Sequence, residues 1–127
     1  MSDLLSSAKQ AAMSGMQSQA DRLRHTSENI ANADTPGYRR KTVPFMADGS
    51  DGEVRTGKVQ LDRSDLPLVY DPSSPLADET GHYKGSNVNA VLEIADSREA
   101  QRSYEANLRM FDQARKMSSS LLDLLRR

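Results

Sequence analysis

The chain has no cysteine, which excludes disulfides and thiolate metal sites and leaves the redox compartment open. Aromatic residues are scarce at 5 per cent and hydrophobic residues reach only 36 per cent, against 28 per cent charged. That is little apolar material for a compact 127-residue fold, so part of the chain is expected to complete its burial against partners. Charge of one sign is also missing. Seventeen basic against eighteen acidic side chains give a net charge of −1, too even to draw in nucleic acid or an anionic membrane. No apolar run approaches the roughly eighteen residues of a membrane span, and MSDLLSSAKQAAMSGM has neither the basic start nor the continuous apolar core of a secretory signal. Export, if it occurs, is expected to use a route other than Sec.

After Gly85 there is no glycine and after Pro75 no proline. From Asn89 to Arg127 nothing interrupts a helix, and Asn89 suits the N-cap with Glu93 in the first turn. Tyr104, Leu108, Phe111, Ala114 or Arg115, Met117 or Ser118, Leu121 or Leu122, and Leu125 form an apolar stripe. Glu105 with Arg109, Asp112 with Lys116, and Asp123 with Arg127 place acid four residues before base. At 1.5 Å per residue the helix would reach roughly 50 Å, long for a domain of this size.

The N-terminal third carries a matching pattern. Leu5, Ala8, Ala12, Met16, Gln19 or Ala20, Leu23, Ser27 and Ile30 recur at steps of three and four, with Ser2 or Asp3 as the cap. Pro36 turns Thr35 away from helical geometry, so the helix is expected to end near Ala33. Ala8, Ala11, Ala12 and Gly15 would let a second helix approach closely.

Between the helices, Lys41 to Ser86 holds four of the five prolines and five of the seven glycines. The runs KTVPFMA, EVRTGKVQLD, LPLVYD and GHYKG are predicted to be extended, with a turn or bulge at Gly57 where the alternation shifts. The expectation is therefore an α+β fold. Its long terminal helices pair as a coiled-coil-like bundle around a small β-rich middle that projects from one end, with segments at 1–33, 34–86 and 87–127.

Candidate chemistry is thin. His25 and Glu28 lie three apart on a helix without a third metal ligand, and a solvated polar face accounts for them. His82, in GHYKG, would be the base of a small hydrolase using nearby carboxylates, although no triad partner is evident. GSDG at 49–52 lacks the spacing of a phosphate loop. Arg39, Arg40 and Lys41 are expected to be solvated or paired with carboxylates rather than bound to nucleic acid. The stretch SENIANADTPGYRRK is different in kind. Pro36 and Gly37 suit the centre of a type II turn with positive φ at Gly37. Asn29 and Asn32 are poor mid-helix residues unless their amides bond something: either they belong to an ordinary helix terminus, or they make contacts between helices in an assembly.

RLRHTSENIANADTPGYRRKTVPF resembles the signature of the flagellar rod and hook family, an Asn-Ile/Leu-Ala-Asn core followed by Thr-Pro-Gly-Tyr. VYDPSSPLADETGHYKGSNVN and EIADSREAQRSYEANLRMFDQARKM are similar to its short proximal-rod members. The resemblance implies a non-enzymatic structural subunit, without cofactor, nucleic acid or small-molecule substrate. Such a subunit leaves the cytoplasm through the flagellar type III export apparatus and assembles in the periplasm into the rod that transmits motor torque. Its implied partners are further copies of itself and the rod proteins FlgB, FlgF, FlgG and FliE. On this reading Leu23, Ile30, Tyr104, Asn107, Leu108, Phe111, Leu121 and Leu125 pack subunits, while Asn29, Asn32, Pro36, Gly37 and Tyr38 form the junction between helix and middle. The competing reading is a coiled-coil binding module that acts as an assembly factor or export chaperone.

Overall fold

The computed structural model describes residues 2–49 and 51–126. Helix α1 spans Ser2–Ala31 and helix α2 spans Ala90–Leu125, about 45 and 54 Å at the α-helical rise. The expected Asn89 cap is present: its extended backbone lets the side-chain oxygen accept from the N–H groups of Val91 and Leu92. At the other end Asp3 lies inside the first turn of α1 rather than capping it, and the Ser2 side chain lies outside the described residues.

The helices run antiparallel, since Asn29 meets Glu93, Arg22 meets Asp96 and Glu99, and Gly15 meets Asn107. On α2 the covered positions recur every seven residues, at Glu93, Ala100, Asn107, Ala114 and Leu121, with Ser97, Tyr104, Phe111 and Ser118 between them. That three-four alternation is a coiled-coil seam. Gly15 makes close approach possible in a literal sense: a Cβ there would lie 2.6–2.8 Å from the Asn107 amide.

The seam differs in chemistry from the apolar stripes that periodicity suggests. Leu5, Ala12, Ala100 and Ala114 are the only buried apolar residues among those described, whereas Ser18, His25, Thr26, Asn29, Ser86 and Glu93 are buried and polar. Leu23 and Ile30 are half-buried, Ser27 is exposed, and Leu108 and Leu125 lie 42 and 82 per cent exposed, outside the seam. Small side chains allow the backbones to close, and Ser18, Thr26, Asn29, Ser86 and Glu93 are tolerated because each finds a specific partner, whereas the buried His25 Nδ1 has no hydrogen-bond partner among the described residues. The charge ladder also differs. Asp112 pairs with Arg115 at 3.8 Å rather than with Lys116, Glu105 forms no ion pair among the described residues, and the Asp123–Arg127 pair lies outside them.

The middle folds as three two-stranded antiparallel ladders. Pro44 divides KTVPFMA into β1 (Lys41–Thr42) and β2 (Phe45–Ala47), and Gly57 divides EVRTGKVQLD into β3 (Val54–Thr56) and β4 (Gln60–Leu61). β1 pairs with β4 and β2 with β3, so one hairpin carries both ladders. Between the ladders Val43 and Pro44 face three residues, Gly57 to Val59, which is the bulge expected at Gly57. The third ladder joins β5 (Leu68–Tyr70) to β6 (His82–Lys84).

The first hairpin does not project from the end of the helices. It folds back along α1, where Val54 N–H donates to Ser14 Oγ, Thr56 Oγ1 donates to Asp21, and Gly52 reaches Ala11. An isolated two-stranded hairpin is marginal in water, and the polar flank of α1 supplies a third layer.

The candidate functional site: a polar junction between the helices and the hinge

Helix α1 ends in the turn that its residue types demand. Tyr38 N–H returns to Thr35 O at 3.2 Å, and Gly37 takes φ 77° between them, the geometry of a type II turn. Gly37 N–H also reaches the carbonyls of Lys84 and Gly85 at 3.1 and 3.2 Å, tying the turn to the segment that leads into α2. Asn32 secures the helix end, donating its amide to Glu28 O at 2.8 Å and accepting from Thr35 Oγ1 at 3.1 Å.

Asn29 is wholly buried at the centre of the junction. Its Nδ2 donates to Lys41 O at 2.9 Å and to Glu93 Oε2 at 3.2 Å. Its Oδ1 accepts from Lys41 N–H at 2.9 Å and from Tyr38 Oη at 2.8 Å. All four bonds that a primary amide can make are made. The side chain thus joins α1, the turn, β1 and α2 within one chain. The expectation of contacts to neighbouring molecules is corrected for Asn29, whose bonding capacity is used up within the chain, while Asn32 spends one donor and one acceptor on its own helix terminus and keeps one of each.

Glu93 is the residue that sequence reading underrated. It lies in the first turn as expected, but wholly buried and paired with the Arg40 guanidinium. Arg40 extends the pair to Asp96 at 3.1 Å, and Asp96 also receives Arg22 from α1 at 3.3 Å. A buried carboxylate is tolerable only with such pairing and hydrogen bonding. The signal available in the sequence was its position: Glu93 starts the heptad that continues at Ala100, Asn107 and Ala114.

The basic triplet is fully engaged. Arg39 donates to the carbonyls of Asp62 and Ser64 at 3.1 and 2.8 Å, Arg40 faces Glu93, and Lys41 pairs with Glu28. The Lys41 ammonium holds the Glu28 carboxyl below its ordinary value of 4.5, and Glu28 in return raises Lys41. Desolvation raises Tyr38, so its hydroxyl stays protonated and available to donate to Asn29. Asn87 closes the assembly, accepting from Arg40 N–H and donating to Asp62 O.

The weaker candidates resolve into structure. His25 Nδ1 lies 3.8 Å from Glu28 Oε2, and no group of three metal-ligating side chains exists among the described residues. His82 Nδ1 meets Thr80 Oγ1 at 2.9 Å, while that hydroxyl is 2.6 Å from Asp78. The hydroxyl therefore stands between base and carboxylate, an order opposite to that of a triad, in which the base stands between. The other predicted packing residues, Tyr104, Asn107, Phe111 and Leu121, lie half-buried on the α2 side of the seam.

What the junction does chemically is lock the angle between two long helices and a β hairpin; nothing in it activates a nucleophile or polarises a substrate. Comparison with known proteins agrees. The family described as "Flagella basal body rod protein" matches residues 10–39, and that described as "Flagellar basal body rod FlgEFG protein C-terminal" matches residues 79–124. Flagellar basal-body rod protein FlgC of Agrobacterium fabrum is 48 per cent identical, over 98 per cent of this chain and 97 per cent of that protein. The proteins of the same name from Salmonella typhimurium and Escherichia coli O6:H1 are 34 and 35 per cent identical, each over 89 per cent of this chain and 92 per cent of theirs. The first match covers α1 from Gln10 onward and the turn, the second covers β6 and nearly all of α2, and the Asn29–Glu93 bond of the junction joins the two. The chain belongs to the FlgC family of flagellar basal-body rod proteins.

Proposed function

We propose that the chain is a structural subunit of the proximal rod, packing with copies of itself and with the rod proteins FlgB, FlgF, FlgG and FliE to carry torque. In this reading it passes through the flagellar type III export apparatus and takes its place in the periplasmic part of the basal body. Residues 1–33 and 87–127 form the inner axial layer, and 34–86 the hinge and middle.

The observation that supports this best is the apolar surface the helices leave uncovered. Leu108, Met110, Met117, Leu122, Leu124 and Leu125 are 42 to 82 per cent exposed along the second half of α2, while the seam beneath them buries alanines and polar groups. Exposed apolar area of that extent on a small chain calls for neighbours, and a helix pair so poor in buried hydrocarbon gains much of its stability by acquiring them. Leu23, Ile30, Tyr104, Asn107, Phe111 and Leu121 pack the pair or its flanks in this account, with Leu108 and Leu125 turned to neighbours. Asn29, Asn32, Pro36, Gly37 and Tyr38 set the angle between rod layer and middle.

The test is deletion of the gene in its flagellated host, complementation with an epitope-tagged chain, and fractionation. The tag should co-purify with basal bodies, and the deletion should abolish swimming and rod assembly. A tagged chain confined to a soluble cytoplasmic complex would instead identify an assembly factor or chaperone.

A further inference from the structure

Two exposed surfaces of this chain are complementary to each other, and the opposite charges that make them so have no ion-pair partner within the chain among the described residues. The first is the lobe built on β5 and β6. Leu68, Tyr70 and Leu76 are 66, 66 and 62 per cent exposed there. Asp65, Asp71, Asp78 and Glu79 surround them, against Lys84 as the single full positive charge between residues 65 and 84. None of the four carboxylates has an ion-pair partner among the described residues. The second surface is the outer side of the first three turns of α2. Val91, Ile94, Ala95, Arg98, Glu99 and Arg102 line an open hollow of about 600 Å³, with Val91 and Ile94 at 74 and 43 per cent exposure. Glu99 is held by Arg22, whereas Arg98 and Arg102 form no ion pair among the described residues.

We propose that the acidic, apolar-tipped lobe of one copy docks in the Val91–Arg102 hollow of the next. The inference rests on the rod-subunit reading, which brings copies side by side, and names the surfaces by which they meet. Charge complementarity and apolar match select a second copy over other occupants. Unpaired carboxylates would face unpaired guanidiniums, and Leu68 and Leu76 would cover Val91 and Ile94. The Tyr70 ring offers a face on which Arg98 or Arg102 can stack. Because lobe and hollow are different patches, the contact is heterologous: each copy keeps a free lobe and a free hollow, so the contact propagates rather than closing as a two-fold dimer.

The absence of cysteine from the chain allows a direct test. Leu76→Cys and Val91→Cys, both at exposed positions, are introduced together and treated with a short bismaleimide in purified basal bodies. The expected result is a ladder of multimers of this chain that requires both cysteines. Arg98→Glu with Arg102→Glu should weaken the ladder by about tenfold or more, and adding Asp65→Lys with Glu79→Lys should restore most of it. Dimers from either single cysteine, cross-links only to a different rod protein, or no ladder in basal bodies that contain the chain would overturn the inference and leave the rod reading intact. If the chain is absent from basal bodies the rod reading falls, and the same reaction on concentrated purified chain then decides the contact: a ladder upholds it, and its absence overturns it.

Discussion

Asn29→Asp replaces an amide by a carboxyl of nearly the same shape, and its cost follows from the junction's geometry. The amide nitrogen sits 3.2 Å from Glu93 Oε2 and 2.9 Å from Lys41 O. An ionised carboxylate there would repel Glu93 by roughly 5 kcal/mol at an effective dielectric constant of about 20. The new group has a cheaper option, which is to keep its proton. Holding a group with an ordinary value near 3.9 protonated at pH 7 costs about 4 kcal/mol, and that sets the ceiling on the charge penalty. The protonated form has one donor where the amide had two, so one further hydrogen bond, about 1 kcal/mol, is lost. The total at pH 7 is about 5 kcal/mol, comparable with the whole stability of many small domains.

The pH dependence carries the sign. The introduced carboxyl has a raised value in the folded state, so its penalty grows as pH rises above the unfolded value and shrinks by about 1.4 kcal/mol for each unit of acidification. At pH 5 roughly 2 to 3 kcal/mol should remain. Glu28, Asp62 and Asp78 add little pH dependence over that interval, because they are held below ordinary values of 4.5, 3.8 and 3.8, and each loss is read against wild type at the same pH. Urea unfolding followed by circular dichroism at pH 7 and pH 5 is the assay, with Asn29→Ala as the control that lowers stability without pH dependence. A loss below 1 kcal/mol at pH 7, or equal losses of Asn29→Asp at both pH values, would refute the reasoning.

Three further perturbations test other parts of the account. A Cβ at Gly37 would have nothing within 4 Å but would be forced to φ 77°, so Gly37→Val should cost about 1–3 kcal/mol of backbone strain and impair rod assembly. Gly37→Asn should cost much less, and equal thermal shifts for the two would contradict a strain origin. Gly15→Ala drives a methyl into the Asn107 amide and should destabilise the helix pair. Gly15→Ala with Asn107→Ala frees that space and should recover the loss, gaining up to about 1 kcal/mol of helix propensity; double-mutant additivity in thermal unfolding would disprove the contact. Leu108→Asp, at a position 42 per cent exposed, should leave export and isolated-chain stability within about 0.5 kcal/mol of wild type and abolish motility. Normal swimming of that variant would remove Leu108 from subunit packing.

Both helices, the Asn89 cap, the Gly37 turn and the Gly57 bulge were legible in the sequence because each depends on a local rule. A long stretch without glycine or proline, a side chain that accepts from the first turn, and a residue that permits positive φ act over a few positions. The heptad on α2 was half legible: Tyr104, Phe111, Ala114 and Leu121 lie on the apolar stripe and Asn107 enters only through the family resemblance, while Glu93 and Ala100 carry no apolar bulk to mark them. Leu108 and Leu23 satisfied the search without entering the buried seam. The junction was the least legible part, since Asn29 meets Lys41 and Glu93, and Arg22 meets Asp96, across separations of 12 to 74 residues. A buried carboxylate and a solvated one look alike in sequence until the partner is in place. The hairpin's return along α1 escaped for the same reason, because it is held by Ser14 and Asp21 through single hydroxyl contacts.

The most direct measurement of the central claim is an electron cryomicroscopy map of purified basal bodies at side-chain resolution. The account predicts this chain in the wall of the proximal rod, with α1 and α2 paired through Gly15 and Asn107. Asn29 should lie among Tyr38, Lys41 and Glu93, and neighbouring helices should cover Leu108, Leu122 and Leu125. A rod without this chain, or one in which that leucine face meets solvent and the Asn29 junction is open, would contradict it.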